Sequence, residues 1–413
     1  MKASNSFCLY PRISLDISFT DLGFSIFSFV YKSKQKEPKI LQKFSHNNKQ
    51  ILVTLSVRTA FDLLLEALRL PKGSEIIMSA VNIPDMVEIV KLHGLVPIPV
   101  DIFIDTLAPN LDILEKQISA KTRIILVAHL FGIILNLEPI INIAKKHNLL
   151  LIEDCAQAFC GDKYCGDSQA DVSLFSFGPI KSCTAIGGAI ACIQDQKLTE
   201  KMVAILAQYP SKSEFWFFKR VVKYFWLKLL TTPRIYFYLM LVIKLLGFEF
   251  DSTINALARN FSKGDIFSRI RYLLPPSLVY LLWHRLNNYD SQLFEQRVAR
   301  ARFLLTLLAD KITYPGMQAI DHSFWLVPIL VPNPKSLMNT LKSNGFDATR
   351  GNTSLIHITN NNDNNYIQAT KEKLLMPEHL SQQILYLPIS EYVPKVALIN
   401  MAQLIGENAS ENC

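Results

Sequence analysis

The stretch LLLIEDCAQAFCGDKYCGDSQADVSLFSFGPIKSCTAIGGAIA, residues 149–191, decides the fold. It sets an apolar run in front of an acidic pair, Glu153 and Asp154, and places Lys181 beyond a second apolar run that ends in Phe-Ser-Phe. A short apolar run of this kind reads as a strand buried on both faces, with the acids at its carboxyl end. Ligands of an open, mostly parallel sheet bind outside the carboxyl ends of the strands, which is where Asp154 falls. Glu153 lies on the alternate face of the same strand and points elsewhere.

Outward from this stretch, residues 74–193 alternate strand and helix patterns. SEIIMSAV, LVPIPVDI, RIILVAHLFG and NLLLIED read as strands buried on both faces. Between them, PDMVEIVKLHG, NLDILEKQISA and LEPIINIAKKHN repeat their apolar residues at helical spacing. Asn110 is a credible N-cap, and Gly94 and Asn148 mark helix stops. Ahead of the series, LVTLSVRTAFDLLLEALRLPKG (52–73) reads as a short strand entering a helix through Ser56, Val57, Arg58 and Thr59. A helix start with free N–H groups, a hydroxyl and an arginine is an anion seat, although Ser56 is equally explained as a cap.

The chain has 413 residues, half of them apolar, enough for more than one core. Its formal charge is +8, but seven basic residues against the single acid Glu214 lie between Lys212 and Lys244. The excess is local, so charge alone gives no support to nucleic-acid binding. Seven cysteines in a chain of this length point to reduced thiols in a cytoplasmic setting. Cys155, Cys160 and Cys165 lack the close pairs of a zinc ribbon and read as small buried thiols, with no metal expected. ISFTDLGFSIFSFVY (17–31) comes late and carries Asp21, which argues against a signal peptide.

A lysine for a Schiff base, a carboxylate to keep a pyridine nitrogen protonated, and a phosphate seat at a helix start are the three requirements of pyridoxal phosphate. Lys181, Asp154 and the start of the 56–68 helix offer all three.

At these residues the chain resembles the DegT/DnrJ/EryC1/StrS family of sugar aminotransferases, pyridoxal-phosphate enzymes of fold type I. The resemblance is carried by IEDCAQAFCGDKYCG, ADVSLFSFGPIKSCTAIGGAIA, TRIILVAHLFG and SVRTAFDLLLEAL, over roughly residues 50–195. It continues faintly through PPSLVYLLWHRLNNYD, HSFWLVPILV and YLPIS. It implies that Lys181 is the Schiff-base lysine, Asp154 the partner of the pyridine nitrogen and Gln157 a residue lying against the cofactor. Ser176 would hydrogen-bond the phosphate, with Arg58 and the backbone at Thr59 on the phosphate loop. It further implies a homodimer, an amino donor such as glutamate, and a keto-sugar acceptor, generally nucleotide-linked.

The departures are as specific as the matches. Val57 and Arg58 stand where the family has Gly-Thr, so a guanidinium replaces a flexible glycine. Ile83 stands where an aromatic ring commonly covers the cofactor, implying apolar cover without stacking. Ser182 and AIGGA replace the usual residues after the lysine, and the YCGDSQAD loop is shorter. These changes bear on substrate choice. They leave open a sugar dehydratase, against which Lys181 counts, or a relative that binds without turnover.

Residues 205–270 have no recognisable counterpart in the family core. FWFFKRVVKYFWLKLLTTPRIYFYLMLVI (215–243) holds ten aromatic and five cationic residues, with Pro233 between two apolar blocks. No run reaches the ~18 apolar residues that would cross a bilayer. The segment reads either as a helix pair in a lipid interface, with contact through 212–246, or as an insertion buried on a dimer or small domain. It is too apolar for a nucleic-acid groove. The expected organisation is an N-terminal arm (1–48), a large α/β cofactor domain (49–204), this insertion (205–274) and a small C-terminal α+β domain (275–413). The expected location is cytoplasmic, peripheral to the membrane if the helix pair faces lipid.

Overall fold

The computed structural model describes residues 7–30, 49–247, 265–309, 311–351, 355–357, 382–390 and 392–410. Parts of the expected arm, insertion and C-terminal domain therefore lie outside the described residues. After helix α1 (Phe19–Val30), the chain runs β1 (Gln50–Thr54), α2 (Val57–Leu68), β2 (Glu75–Ser79), β3 (Val81–Asn82), α3 (Pro84–Leu92) and β4 (Val96–Val100). It continues through α4 (Leu111–Lys116), β5 (Thr122–Ala128), β6 (Ile133–Ile134), α5 (Glu138–Lys146), β7 (Leu150–Asp154), β8 (Val172–Ser176), β9 (Ala189–Ile193) and α6 (Gln196–Leu206).

Seven strands form one sheet in the order β1-β9-β8-β7-β5-β2-β4. Neighbours from β8 to β4 are parallel, while β9 runs antiparallel to both β8 and β1. The fold is a mostly parallel α/β sheet covered by helices, as the alternating pattern predicts. Asn110 caps α4 by accepting from the Ile113 N–H at 3.2 Å, and Gly94 and Asn148 take positive φ beyond the ends of α3 and α5. β4 departs from the expectation of burial on both faces. As the edge strand it leaves Val96 exposed.

Helix α2 shows how the sequence positions the site. Ser56 caps it through its hydroxyl, accepting from the Thr59 N–H at 3.2 Å, and Arg69 closes it in the left-handed region at φ 47°. Phe61, Leu64 and Leu65 are buried against the sheet, each such burial stabilising by about 1.5–3 kcal/mol. This packing fixes the start of α2, with its first N–H groups, near the carboxyl ends of the central strands.

The chain then forms α7 (Glu214–Leu230), α8 (Pro233–Leu245), α9 (Phe267–Ile270), α10 (Pro276–Asn287) and α11 (Ser291–Leu308). Short strands β10 (Asp321–His322) and β11 (Pro328–Leu330) precede α12 (Pro334–Ser343), β12 (Ile356–His357), β13 (Ile384–Tyr386) and α13 (Lys395–Ser410). A separate core around Leu304, Ile329, Leu341 and Met401 unites α11, α12, α13 and the β11–β13 pair. The N-terminal segment joins the parts: Arg12 is bidentate on Asp347, and Asp21 on α1 accepts from Arg285 on α10 at 2.6 Å.

Helices α7 and α8 are apolar on both sides. One face of α7, with Phe217, Val221 and Tyr224, enters the core shared with α1 and α10, and α8 buries Tyr236, Met240 and Ile243. The opposite faces expose Phe215, Phe218, Val222 and Trp226 on α7, and Tyr238, Leu241, Val242 and Leu245 on α8. Among the described residues no single helix is long and apolar enough to cross a membrane; α7 and α8, bent by 92°, meet that length and composition only as a pair.

Candidate active site

Strands β5, β7 and β8 end side by side, with Ala128 paired to Asp154 and Asp154 to Leu174. Asp154 is therefore held at the carboxyl edge of the sheet, its backbone C=O accepting from the His129 N–H at 3.1 Å and its Oδ1 from the Ala156 N–H at 2.9 Å. Burial raises its pKa, opposed by the Ala156 N–H and by the charges of Lys181 and Arg58. Lys181 follows β8 in a turn closed by its own N–H on the Gly178 carbonyl at 3.0 Å. Burial pulls its pKa down to about 7, with Asp154 opposing and Arg58 assisting. The two residues singled out first in the sequence thus share one electrostatic environment.

Glu153 faces the other side of β7, as the strand alternation predicts. It accepts from His129 Nε2 at 3.1 Å, Tyr164 OH at 2.5 Å, the Asp167 N–H at 2.7 Å and the Ser173 hydroxyl. Lys49 backs this group, donating to Ser173 Oγ at 2.9 Å and the Asp167 carbonyl at 2.6 Å. Burial would raise the Glu153 pKa, but the donors, His129 foremost, override it and hold it at about 2. Cys155 offers its sulfur close to His129 and Glu153, a set that could in principle ligate a metal. His129 Nδ1, however, accepts from the Leu135 N–H at 3.1 Å, so the ring proton sits on Nε2, directed at Glu153. That nitrogen has no lone pair for a metal. Burial keeps the Cys155 thiol protonated as well.

The remaining expected site residues differ in how far they are engaged. Gln157 Oε1 accepts from the Phe131 N–H at 2.7 Å, which fixes the amide. Ser176 ends β8, with Oγ 3.5 Å from the Gly178 N–H, a weak contact. Thr59 is fully buried and its hydroxyl donates to the Ile270 carbonyl at 2.8 Å, while its N–H is taken by Ser56. The first N–H groups of α2, at Val57 and Arg58, are the ones that the helix leaves without an internal acceptor. Arg58 Nε stands 2.5 Å from Asp85 Oδ2 on α3, an ion pair that competes with any anion for the guanidinium. Ile83 precedes α3 and packs on the core that α2 and α3 share with the main sheet.

One group escaped sequence reasoning. Trp325 lies over Lys181, with Nζ 3.9 Å from the ring centroid, and its Nε1–H donates to the Ile180 carbonyl at 2.7 Å. It is brought there by Gly132, at φ +98°, where a Cβ would stand only 2.7 Å from the Trp325 backbone nitrogen. The β6–β10 pair reinforces the approach. HSFW is visible as a motif, but nothing local in it points to Lys181.

Residues 31–219 match the DegT/DnrJ/EryC1/StrS aminotransferase family. The match spans 189 of the 413 residues, a little under half of the chain. GDP-perosamine synthase of Escherichia coli is 34% identical over 177 residues, covering 41% of this chain and 48% of that protein. The UDP-4-amino-4-deoxy-L-arabinose–oxoglutarate aminotransferase of Shewanella sediminis is 31% identical over 174 residues, covering 41% of this chain and 44% of that protein. The chain thus aligns with about half the length of these curated relatives. Among solved structures, NtdA from Bacillus subtilis with bound cofactor PMP superposes with a TM-score of 0.69 at 19% identity, over 98% of this chain and 86% of that one. Helicobacter pylori PseC, an aminotransferase involved in the biosynthesis of pseudoaminic acid, gives 0.69 at 18% identity, over 98% of this chain and all of that one. These matches show that the chain shares the fold of those proteins.

Proposed function

We propose that this chain is a pyridoxal-phosphate-dependent aminotransferase that transfers an amino group to a keto sugar. The observation that carries the reading is the juxtaposition of a lysine with a pKa lowered to about 7 and a buried carboxylate at the carboxyl edge of the sheet. The donor set fits the cofactor: an amine that is substantially uncharged near neutrality, an acid for the ring nitrogen, and a helix start with a neighbouring guanidinium for the phosphate. Bound pyridoxal phosphate would supply the electron sink and the carrier for the amino group.

Asp154 would hold the ring nitrogen protonated, Gln157 would lie against the ring, and Ile83 would cover it. The Val57 and Arg58 N–H groups with Ser176 would bind the phosphate, joined by the Arg58 side chain once it leaves Asp85. Lys181 would carry the cofactor and then, freed, move a proton between the donor carbon and the cofactor, which its lowered pKa permits. Glutamate is the proposed donor, a keto sugar the acceptor and a homodimer the assembly. The relatives named for sugar amination support the class of acceptor. Borohydride reduction tests this: it should fix cofactor on the peptide containing Lys181, and Lys181→Ala should lose both the adduct and turnover. Cofactor fixed on another lysine would refute the assignment.

The apolar, basic outer face of α7 and α8 supports a peripheral place on the inner leaflet. Residues 215–247 contain no Asp or Glu, and Lys219 and Lys244 are exposed among the aromatic and aliphatic side chains. Flotation with anionic vesicles should weaken as salt rises, whereas a protein that never floats is cytosolic.

A further inference from the structure

The residues that follow Lys181 are held by charged side chains from across the fold. Arg297 on α11 donates from Nη2 to Ser182 Oγ at 3.1 Å, Asp16 of the N-terminal segment accepts from the Cys183 N–H at 2.9 Å, and Arg285 on α10 donates from Nε to the Thr184 carbonyl at 3.1 Å. The next contact comes from α7. Arg220 closes its fork on a single acceptor, with Nε at 3.1 Å and Nη2 at 2.8 Å from the Ile186 carbonyl.

Ile186 is where such a grip is needed. It is fully buried and takes φ +55°, a left-handed conformation that a β-branched residue rarely enters. Cys183 is left-handed too, at φ +53°. Residues in such conformations persist only where their surroundings over-determine them, and they gather at functional sites. Arg220 is committed to this one carbonyl: its guanidinium lies 4.9 Å from the Trp216 ring centroid and 5.5 Å from that of Tyr224, and no acid among the described residues pairs with it. A cation taken partly out of water without an anion costs desolvation, so stability alone is a poor reason for this contact.

From Ile186 the contacts run back to the lysine. The Ile186 N–H donates to Thr184 Oγ1 at 2.8 Å, the Thr184 hydroxyl donates to the Gly178 carbonyl at 2.6 Å, and the same carbonyl accepts from the Lys181 N–H at 3.0 Å. The residue that Arg220 grips and the turn that bears the amine thus share one chain of hydrogen bonds. Charge is not the link, because the groups that act on the Lys181 amine besides burial are Asp154 and Arg58.

We propose that Arg220 is a positioning residue for Lys181: it holds Ile186 in its left-handed conformation and so fixes, through Thr184 and Gly178, the turn that keeps the amine in place. The proposal rests on the reading of Lys181 as the lysine that carries the cofactor. It gives α7 a task in the site that is separate from whatever its exposed outer face meets.

The test is acetylation of Lys181 by acetic anhydride over a pH series, read by mass spectrometry of its peptide, on the full chain freed of cofactor. Lys181 opens on a cavity of about 1070 Å3, which admits the reagent. Only the uncharged amine reacts, so the wild-type rate should rise through a midpoint near 7. Arg220→Gln, which removes the fork, should raise that midpoint by about one unit as the turn loosens and water reaches the amine. Backbone hydrogen exchange over 178–188 should quicken with it. Arg220→Lys, which restores a cation with one donor on the carbonyl, should recover part of both, and Lys219→Gln, the same loss of charge on the exposed side of α7, should change neither. An Arg220→Gln protein with an unmoved midpoint overturns the proposal even if it unfolds more easily, since that marks a merely structural contact; a Lys219→Gln protein that shifts as far overturns it too. Should Arg220→Gln fail to fold, Arg220→Lys decides, by a smaller rise or by none. If the midpoint shifts but borohydride fixes no cofactor on Lys181, the aminotransferase reading fails, while the positioning of this amine by Arg220 stands.

Discussion

Glu153 and Asp154 are consecutive residues at the end of one buried strand, and their surroundings oppose each other. Glu153 is met by four donors from His129, Tyr164, Ser173 and the Asp167 backbone, and its pKa falls to about 2. Asp154 has one backbone donor and two cationic neighbours in a dry setting, and its pKa rises. Burial acts on both in the same direction; the number of donors decides the sign. A carboxylate whose lone pairs are filled by the protein is a structural anchor. One left short of donors is available to an incoming positive group, as the proposed role of Asp154 requires.

The largest effect should come from emptying the anchor. Glu153→Gln replaces an acceptor of four hydrogen bonds by an amide that brings its own donors, and should cost about 3–5 kcal/mol in denaturant unfolding, as for a broken buried ionic group. It should also change the acid response. A folded pKa of about 2 lies below the ordinary glutamate value, so Glu153 stabilises the fold fully above roughly pH 5 and loses that contribution as pH falls toward 2. The variant should lack that part of the acid transition. Unchanged stability and acid profile would show that the donors have other acceptors.

Asp154→Asn should do the reverse, leaving stability level or slightly higher because an ionisable group is no longer buried. If the proposed reaction is right, the rate with saturating cofactor should fall on the order of a hundredfold, the scale seen when one electrostatic partner of a reacting centre is removed. Stopped-flow amination of the loaded protein measures it. Equal rates would reduce the contrast between the two acids to one of stability alone.

The sequence disclosed these two residues because their signals are local. An apolar run with acids at its end, and the strand period of two, place one carboxylate on each face with no knowledge of the rest of the chain. Asn110, Gly94 and Asn148 were readable for the same reason, since caps and stops are decided within a few residues. What chose the fate of each acid was not local. Lys49 reaches the Glu153 group from over a hundred residues away, and Trp325 covers Lys181 only because Gly132 lets two loops touch. The same holds for Thr59, whose hydroxyl is taken by Ile270 across the fold. The outer faces of α7 and α8 were visible as composition, but which side of each helix is buried required the packing of α1 and α10.

Trp325→Ala should have a smaller effect, again through solvation. Burial is the leading cause of the low pKa of Lys181, so opening the ring above it to water should raise the pH midpoint of cofactor attachment by about one unit from about 7, toward the ordinary lysine range. Attachment needs the uncharged amine, so its rate in the wild type should climb with pH through about 7 and then level. A rate–pH series on cofactor-free protein reads both midpoints. An unmoved midpoint would transfer the control of Lys181 to Asp154 and Arg58.

The smallest effect concerns the phosphate seat, where Arg58 has an acid for company as Lys181 does. Its ion pair with Asp85 is partly exposed, and such pairs are worth about 0–1 kcal/mol, so little holds the guanidinium back from an anion. Asp85→Asn should therefore tighten retention of pyridoxal phosphate by up to about fivefold, a gain of about 1 kcal/mol, whereas Arg58→Ala should loosen it. Loosening has two sources: a cation is lost, and the Asp85 carboxylate is left unopposed beside the phosphate. The double variant separates them, because removing Asp85 as well should recover part of the loss. Equilibrium dialysis of the cofactor across the four proteins completes the cycle. If Arg58→Ala and the double variant retain cofactor equally well, the carboxylate does not face the anion. Asp85 would then be only a tether for the arginine, and the start of α2 would bind phosphate through its backbone.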